Sequence, residues 1–183
     1  MFATHLYPSA QCRAIVRHVR GEGAWEPAQV LIHSEGNLTD AVQSNAREAS
    51  IASRAHASRI YDEFEEQVRR LVAPMIRSIW GTELTDCDGT QLIRYPTGGH
   101  YVPHRDADDT AYAHRYFTVL CYLNDDFVGG ETSFPSLRFT ATPIQGKTLV
   151  FPSRFLHSAL PVVKGEKFAF LTWLCGPIPT QWL

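Results

Sequence analysis

The residues best placed to do chemistry are His104, Asp106, His157 and Lys167. In an extended segment residues i and i+2 share a face, so His104 and Asp106 can both point at one ion while Arg105 points away. A third ligand must come from elsewhere in the fold. His157 supplies it if its strand lies beside the first, which puts two imidazoles and a carboxylate on one side of a metal and leaves the other positions open. Open positions are what a substrate-activating iron needs, although the same three donors also suit a catalytic zinc.

Lys167 begins a strand in which Ala169, Leu171 and Trp173 share its face while Phe168 and Phe170 take the other. Both faces are apolar, which predicts a buried strand. A lysine there either meets an anion or snorkels to water, because an unpaired buried charge is costly. The far carboxylate of a bound diacid would satisfy it. The segment Phe117 to Leu123 mixes apolar residues on both faces in the same way, with Thr118, Leu120 and Tyr122 together on one. Tyr122 is thus a candidate hydroxyl donor to the same carboxylate, with core packing against an unrelated carbonyl as the alternative. Ahead of His104, Gly98 and Gly99 permit tight turns, and Tyr95 and Tyr101 are either pocket walls or simple strand packing. His100 and His114 are near but unassigned. Asp108 and Asp109 read as a substrate loop or a solvated turn.

Two kinds of element must hold these groups. Ser9 is placed to cap a helix running to Arg20, and Ile60, Phe64, Val68, Leu71, Ile76 and Ile79 recur near a 3.6 period from Arg54 to Trp80, with Pro74 expected to kink the helix and Gly81 to end it. From Gln91 onward short strands alternate with turns. Helices first and strands second predict an α+β protein, a jelly-roll barrel with N-terminal helices packed on one sheet. We expect one domain over residues 1–183, with helical support over about 1–85 and the iron-binding core over about 90–176.

Composition agrees with a soluble globular chain. Its 183 residues are 44% apolar and 20% charged with a formal net charge of -2, so bulk charge offers nothing to a nucleic acid. No run approaches the roughly 18 apolar residues of a membrane helix, and no leader pattern precedes Arg20. Cys12, Cys87, Cys121 and Cys175 occur singly, the pattern of reduced thiols and not of a zinc knuckle. The expected location is cytoplasmic, with no membrane or nucleic-acid partner.

Three ordered segments, RYPTGGHYVPHRD, RYFTVLCYLNDDFVGGETSFP and PIQGKTLVFPSRFLHSALPVVKGEKFAFLTW, resemble the signatures of the Fe(II) and 2-oxoglutarate-dependent dioxygenases of the prolyl 4-hydroxylase type. The resemblance covers about Gln91 to Gly176. It implies a double-stranded β-helix in which His104, Asp106 and His157 bind Fe(II), Lys167 anchors the far carboxylate of 2-oxoglutarate, Tyr122 is a second contact to it and Tyr95 lines the pocket. It further implies O2 as co-reactant, ascorbate as a candidate reductant, succinate and CO2 as products, and an amino acid, peptide or related small molecule as substrate for a monomer or homodimer. The segment from Phe151 to His157 is shorter than in collagen-type members, and no peptide-binding domain precedes the core, so a prolyl polypeptide does not follow. A non-catalytic barrel that senses a metal and a 2-oxo acid, and a zinc hydrolase, are the competing readings.

Overall fold

The computed structural model describes residues 1–22, 24–34, 37–107 and 112–176. The chain opens on a short strand, β1 (Phe2–His5), followed by helix α1 (Ser9–Glu22). Pro8 and not Ser9 stands at the cap, its carbonyl accepting from the Gln11 and Cys12 N–H groups, while Ser9 lies inside the first turn. Five short strands come next: β2 (Trp25–Pro27), β3 (Val30–Ser34), β4 (Asn37–Ala41), β5 (Arg47–Glu48) and β6 (Ser50–Ala52).

The helical stretch expected from Arg54 to Trp80 forms as α2 (Arg54–Gln67) and α3 (Ala73–Trp80), joined by one π-helical turn at Val68–Val72. Pro74 accounts for the join. Its ring crowds the carbonyl four residues back and offers no N–H, so the preceding turn widens and the helix continues. Phe64, Val68, Val72 and Ile76 stay buried across it. Ile79, expected on that stripe, is exposed instead. Gly81 ends α3 at φ 62°, the left-handed conformation that a Cβ would strain.

The remaining strands are β7 (Cys87–Tyr95), β8 (His100–His104), β9 (Arg115–Tyr122), β10 (Val128–Gly129), β11 (Thr132–Phe134), β12 (Phe139–Ala141), β13 (Lys147–Pro152), β14 (His157–Ala159), β15 (Val162–Lys164) and β16 (Lys167–Cys175). They build a larger sheet in the order β1-β13-β9-β16-β7-β6-β2 and a smaller one in the order β12-β11-β14-β8-β5. The period-2 alternation of β9 and β16 decides what each face meets. Phe117, Val119, Cys121, Phe168 and Phe170 point outward to the helices and join Phe64, Val68 and Ile76 in one core, where Phe64 stacks on Phe170 with centroids 4.3 Å apart. Leu120, Tyr122 and Ala169 point inward, where they join Phe134 and Phe151 between the sheets. The result is a double-stranded β-helix with helices on the outside of the larger sheet.

The N-terminal part is less purely helical than expected. β1 closes one edge of the larger sheet, β6 and β2 extend the other, and β5 edges the smaller sheet. These strands are two to four residues long, too short for alternation to announce them. Among the described residues no helix is long and apolar enough to cross a membrane.

Candidate active site

β8 and β14 are antiparallel neighbours in the smaller sheet, and their register sets His157 directly opposite His104. The two rings lie 4.3 Å apart, centroid to centroid. Asp106 follows two residues after His104, just past the end of β8. Its backbone N–H donates to Ser153 O at 2.9 Å, which turns the carboxylate inward between the histidines. The ligand atoms of His104, Asp106 and His157 all lie within 4.8 Å of one another. Arg105 turns away, its guanidinium donating to the Arg154 carbonyl.

Hydrogen bonds behind the triad set its protonation. His104 Nδ1 meets Val102 O at 2.8 Å and His157 Nδ1 meets Phe155 O at 2.9 Å. A carbonyl only accepts, so each Nδ1 carries a proton, and Nε2 is the ring atom that each histidine turns toward Asp106. The two Nε2 atoms stand 3.5 Å from Asp106 Oδ1 and Oδ2 respectively. Two imidazole nitrogens and a carboxylate converging on one point can share a single cation, so this donor set fits a divalent metal. Burial alone would raise the Asp106 pKa, but His157, His104 and the Thr118 hydroxyl hold it well below the usual carboxylate range. Thr118 Oγ1 donates to Asp106 Oδ2 at 2.6 Å. Burial lowers the pKa of His157, which favours the neutral imidazole that a metal requires.

A cavity runs from this triad into the space between the sheets, lined by His104, His157, Tyr95, Tyr101, Lys167 and Arg47 among others. Lys167 lies at its wall, 1% exposed. Its Nζ donates to Gly130 O at 2.7 Å and stands over the rings of Tyr95 and Tyr122 at 5.1 and 5.3 Å. Gly130 permits this approach, since at φ 67° a Cβ there would be strained and would lie 3.2 Å from Lys167 Cδ. Burial pulls the Lys167 ammonium down to about 7, against a smaller opposing effect of Glu131. A buried ammonium whose one hydrogen-bond acceptor is a carbonyl can take an anionic partner from the cavity.

The six residues singled out from sequence are therefore gathered in one region, with different exposure to the cavity. Tyr95 lines it, and burial raises its phenol pKa. Tyr122 stands one layer behind, its hydroxyl donating to Thr132 Oγ1 at 2.6 Å, so Thr132 is the hydroxyl on the wall. Asp108 and Asp109 lie outside the described residues. Four contributors were not singled out. Thr118, whose inward face strand parity had already indicated, steadies Asp106; Ser153 holds the loop; Thr132 lines the wall; and Arg47, on a two-residue strand with no pattern to read, closes the side of the cavity. Arg47 is 5% exposed, donates to Gln29 O and Gln91 Oε1, and lies 4.9 Å above the Tyr101 ring. Its Nε is buried without a hydrogen-bond partner among the described residues.

Comparison with known proteins gives a consistent picture. The sequence profile of the 2OG-Fe(II) oxygenase superfamily matches residues 90–175. A probable prolyl 4-hydroxylase 7 of Arabidopsis thaliana is 31% identical over 119 residues, covering 48% of this chain and 38% of the relative, so the chain spans well under two thirds of that protein. Among solved structures, a prolyl hydroxylase of Trichoplax adhaerens in complex with a hypoxia inducible factor oxygen degradation domain peptide fragment superposes with a TM-score of 0.72 at 20% identity, covering 95% of this chain and 82% of that one. The viral collagen prolyl hydroxylase of Paramecium Bursaria Chlorella virus-1, in its 2OG complex, gives a TM-score of 0.66 at 19% identity and covers 96% of each chain. At these identities the two structures show a shared fold.

Proposed function

Because this chain belongs to the 2OG-Fe(II) oxygenase superfamily through residues 90–175, we propose that it is an Fe(II)- and 2-oxoglutarate-dependent dioxygenase that hydroxylates an unactivated C–H bond. The observation that carries the reading is one cavity lined both by the two histidines of a two-histidine, one-carboxylate cluster and by a buried lysine. His104, Asp106 and His157 would hold the iron, and Lys167 would hold the far carboxylate of 2-oxoglutarate. When bound, iron and 2-oxoglutarate supply oxygen activation coupled to decarboxylation, so that substrate, O2 and 2-oxoglutarate become hydroxylated substrate, succinate and CO2.

The chain's own residues contribute orientation and exclusion. Backbone carbonyls lock both histidine tautomers, and Thr118 and Ser153 fix the carboxylate. Tyr101 stacks on His104 with centroids 3.5 Å apart and prevents the ring from turning. Ile93, Leu120, Phe151 and Leu171 form apolar walls that keep water from the reacting centre. An arriving dicarboxylate keeps Lys167 protonated, turning a costly buried cation into half of an ion pair. Arg47, whose cationic side chain lines the same cavity, is placed to meet an acceptor on the prime substrate. That substrate is an amino acid, a peptide residue, prolyl included, or a related small molecule; the peptide held by the Trichoplax neighbour supports the peptide class.

The test is succinate formation by purified protein with a panel of amino acids and peptides. Turnover that requires both Fe(II) and 2-oxoglutarate, and disappears in Asp106→Ala and His157→Ala, is the expected result. Turnover surviving in both variants, or hydrolysis supported by zinc without 2-oxoglutarate, would overturn the proposal.

A further inference from the structure

A second set of metal-ligating side chains meets outside the cavity. Asp88 on β7, His114 in the turn before β9 and Cys175 at the end of β16 present ligand atoms within 4.8 Å of one another. Sheet topology brings them together, because β16 lies between β9 and β7, with Trp173 paired to Asp88 and Cys175 paired to Arg115. Backbone bonds clamp the same point. Cys175 N–H donates to Asp86 O at 2.9 Å, Thr85 N–H to Cys175 O at 2.8 Å and Gly176 N–H to His114 O at 3.0 Å. The three donors are thus carried on rigid backbone, as a preformed site requires.

The side chains are arranged to match. Arg115 Nε holds Asp88 Oδ2 at 2.7 Å, which orients the carboxylate. His114 Nε2 stands 3.5 Å from the same carboxylate. The Arg115 guanidinium is itself occupied by the Tyr112 and Trp173 rings, each centroid 3.7 Å away. Asp88 and His114 are partly open to solvent while Cys175 is buried, so an ion could enter from one side and keep a water there. We propose that Asp88, His114 and Cys175 form a second metal site, of the zinc type, binding a borderline-soft divalent cation through one oxygen, one nitrogen and one sulfur. Zinc accepts that mixture with a fourth position left for water. The donor chemistry separates it from the triad, whose oxygen and two nitrogens offer no thiolate. An ion there would tie together the ends of three strands of the larger sheet. The same sheet carries Thr118, which pairs with Trp173 and holds Asp106.

The sulfur makes the proposal testable independently of the triad. Cobalt(II) titrated into the metal-stripped protein without air should produce a near-ultraviolet thiolate-to-cobalt charge-transfer band. The band should persist in an Asp106→Ala, His157→Ala double variant and vanish in Cys175→Ser. His114→Ala, a change at a half-buried position in a turn, should weaken the cobalt affinity of that site by about tenfold or more, and it decides the matter if Cys175→Ser does not fold. Absence of the band from the parent protein, its survival in Cys175→Ser, or an unchanged affinity in His114→Ala would each overturn the assignment. The bland alternative, an Asp88–Arg115 ion pair with two bystanders, predicts those outcomes.

Discussion

Replacing Lys167 by methionine removes the ammonium while keeping most of the volume of its stem. In the ligand-free chain the group is 1% exposed with the Gly130 carbonyl as its acceptor, and burial pulls its pKa from 10.5 down to about 7. The unfolded lysine keeps its proton to higher pH than the folded one. The burial penalty is therefore full below about pH 7 and fades as pH rises toward the unfolded value, so stability climbs across that window. Lys167→Met has no such penalty and should be at least as stable as the parent at neutral pH. Binding should respond in the opposite direction. Truncating one partner of a desolvated ion pair costs about 2–5 kcal/mol, roughly 30-fold to a few thousand-fold in Kd. Calorimetric titration with 2-oxoglutarate, with manganese(II) standing in for iron, measures the affinity, and thermal unfolding measures the stability. A variant that binds 2-oxoglutarate within about threefold of the parent, under ~0.7 kcal/mol, and is also less stable would make Lys167 a structural strut and refute the reasoning.

The same pKa predicts that 2-oxoglutarate binding takes up a proton above about pH 7, weakening affinity by up to about tenfold per pH unit; a flat profile in the parent, or an equal slope in Lys167→Met, would count against it. Thr118→Val removes the 2.6 Å hydrogen bond to Asp106 with little change of shape, and metal titration should show about a tenfold loss of affinity. Unaltered affinity would mean that Ser153 alone orients the loop. Phe64→Ala deletes the ring stacked on Phe170 and should cost about 3–5 kcal/mol in urea unfolding, with the triad's metal affinity retained in the folded fraction; a loss below about 1 kcal/mol would contradict its place in the core.

What could be read from the sequence follows from periodicity. Parity placed His104 and Asp106 on one face and Thr118, Leu120 and Tyr122 together, and the structure keeps both groupings. The 3.6-residue stripe located Phe64, Val68 and Ile76 against the sheet. Register between distant strands is not a local property, so nothing in the residues around His157 requires it to face His104; that pairing belongs to the fold. Arg47 was invisible for a related reason: β5 is only two residues long, and the cavity that the arginine borders exists only once the two sheets face each other. The π-helical turn before Pro74 was likewise unreadable, since proline predicts a disturbance without saying whether the helix breaks or widens. Tyr122 was placed on the correct face, but its hydroxyl is taken by Thr132, a partner ten residues along on the facing sheet.

The central claim is that this chain splits O2 between 2-oxoglutarate and a substrate, with His104, Asp106 and His157 holding the metal. Its most direct measurement is turnover under 18O2 with mass spectrometry of the succinate formed. Incorporation of a single labelled oxygen into succinate by the parent protein, absent in Asp106→Ala, is the predicted result. Succinate without label, or labelled succinate from the Asp106→Ala variant at the parent's rate, would contradict it.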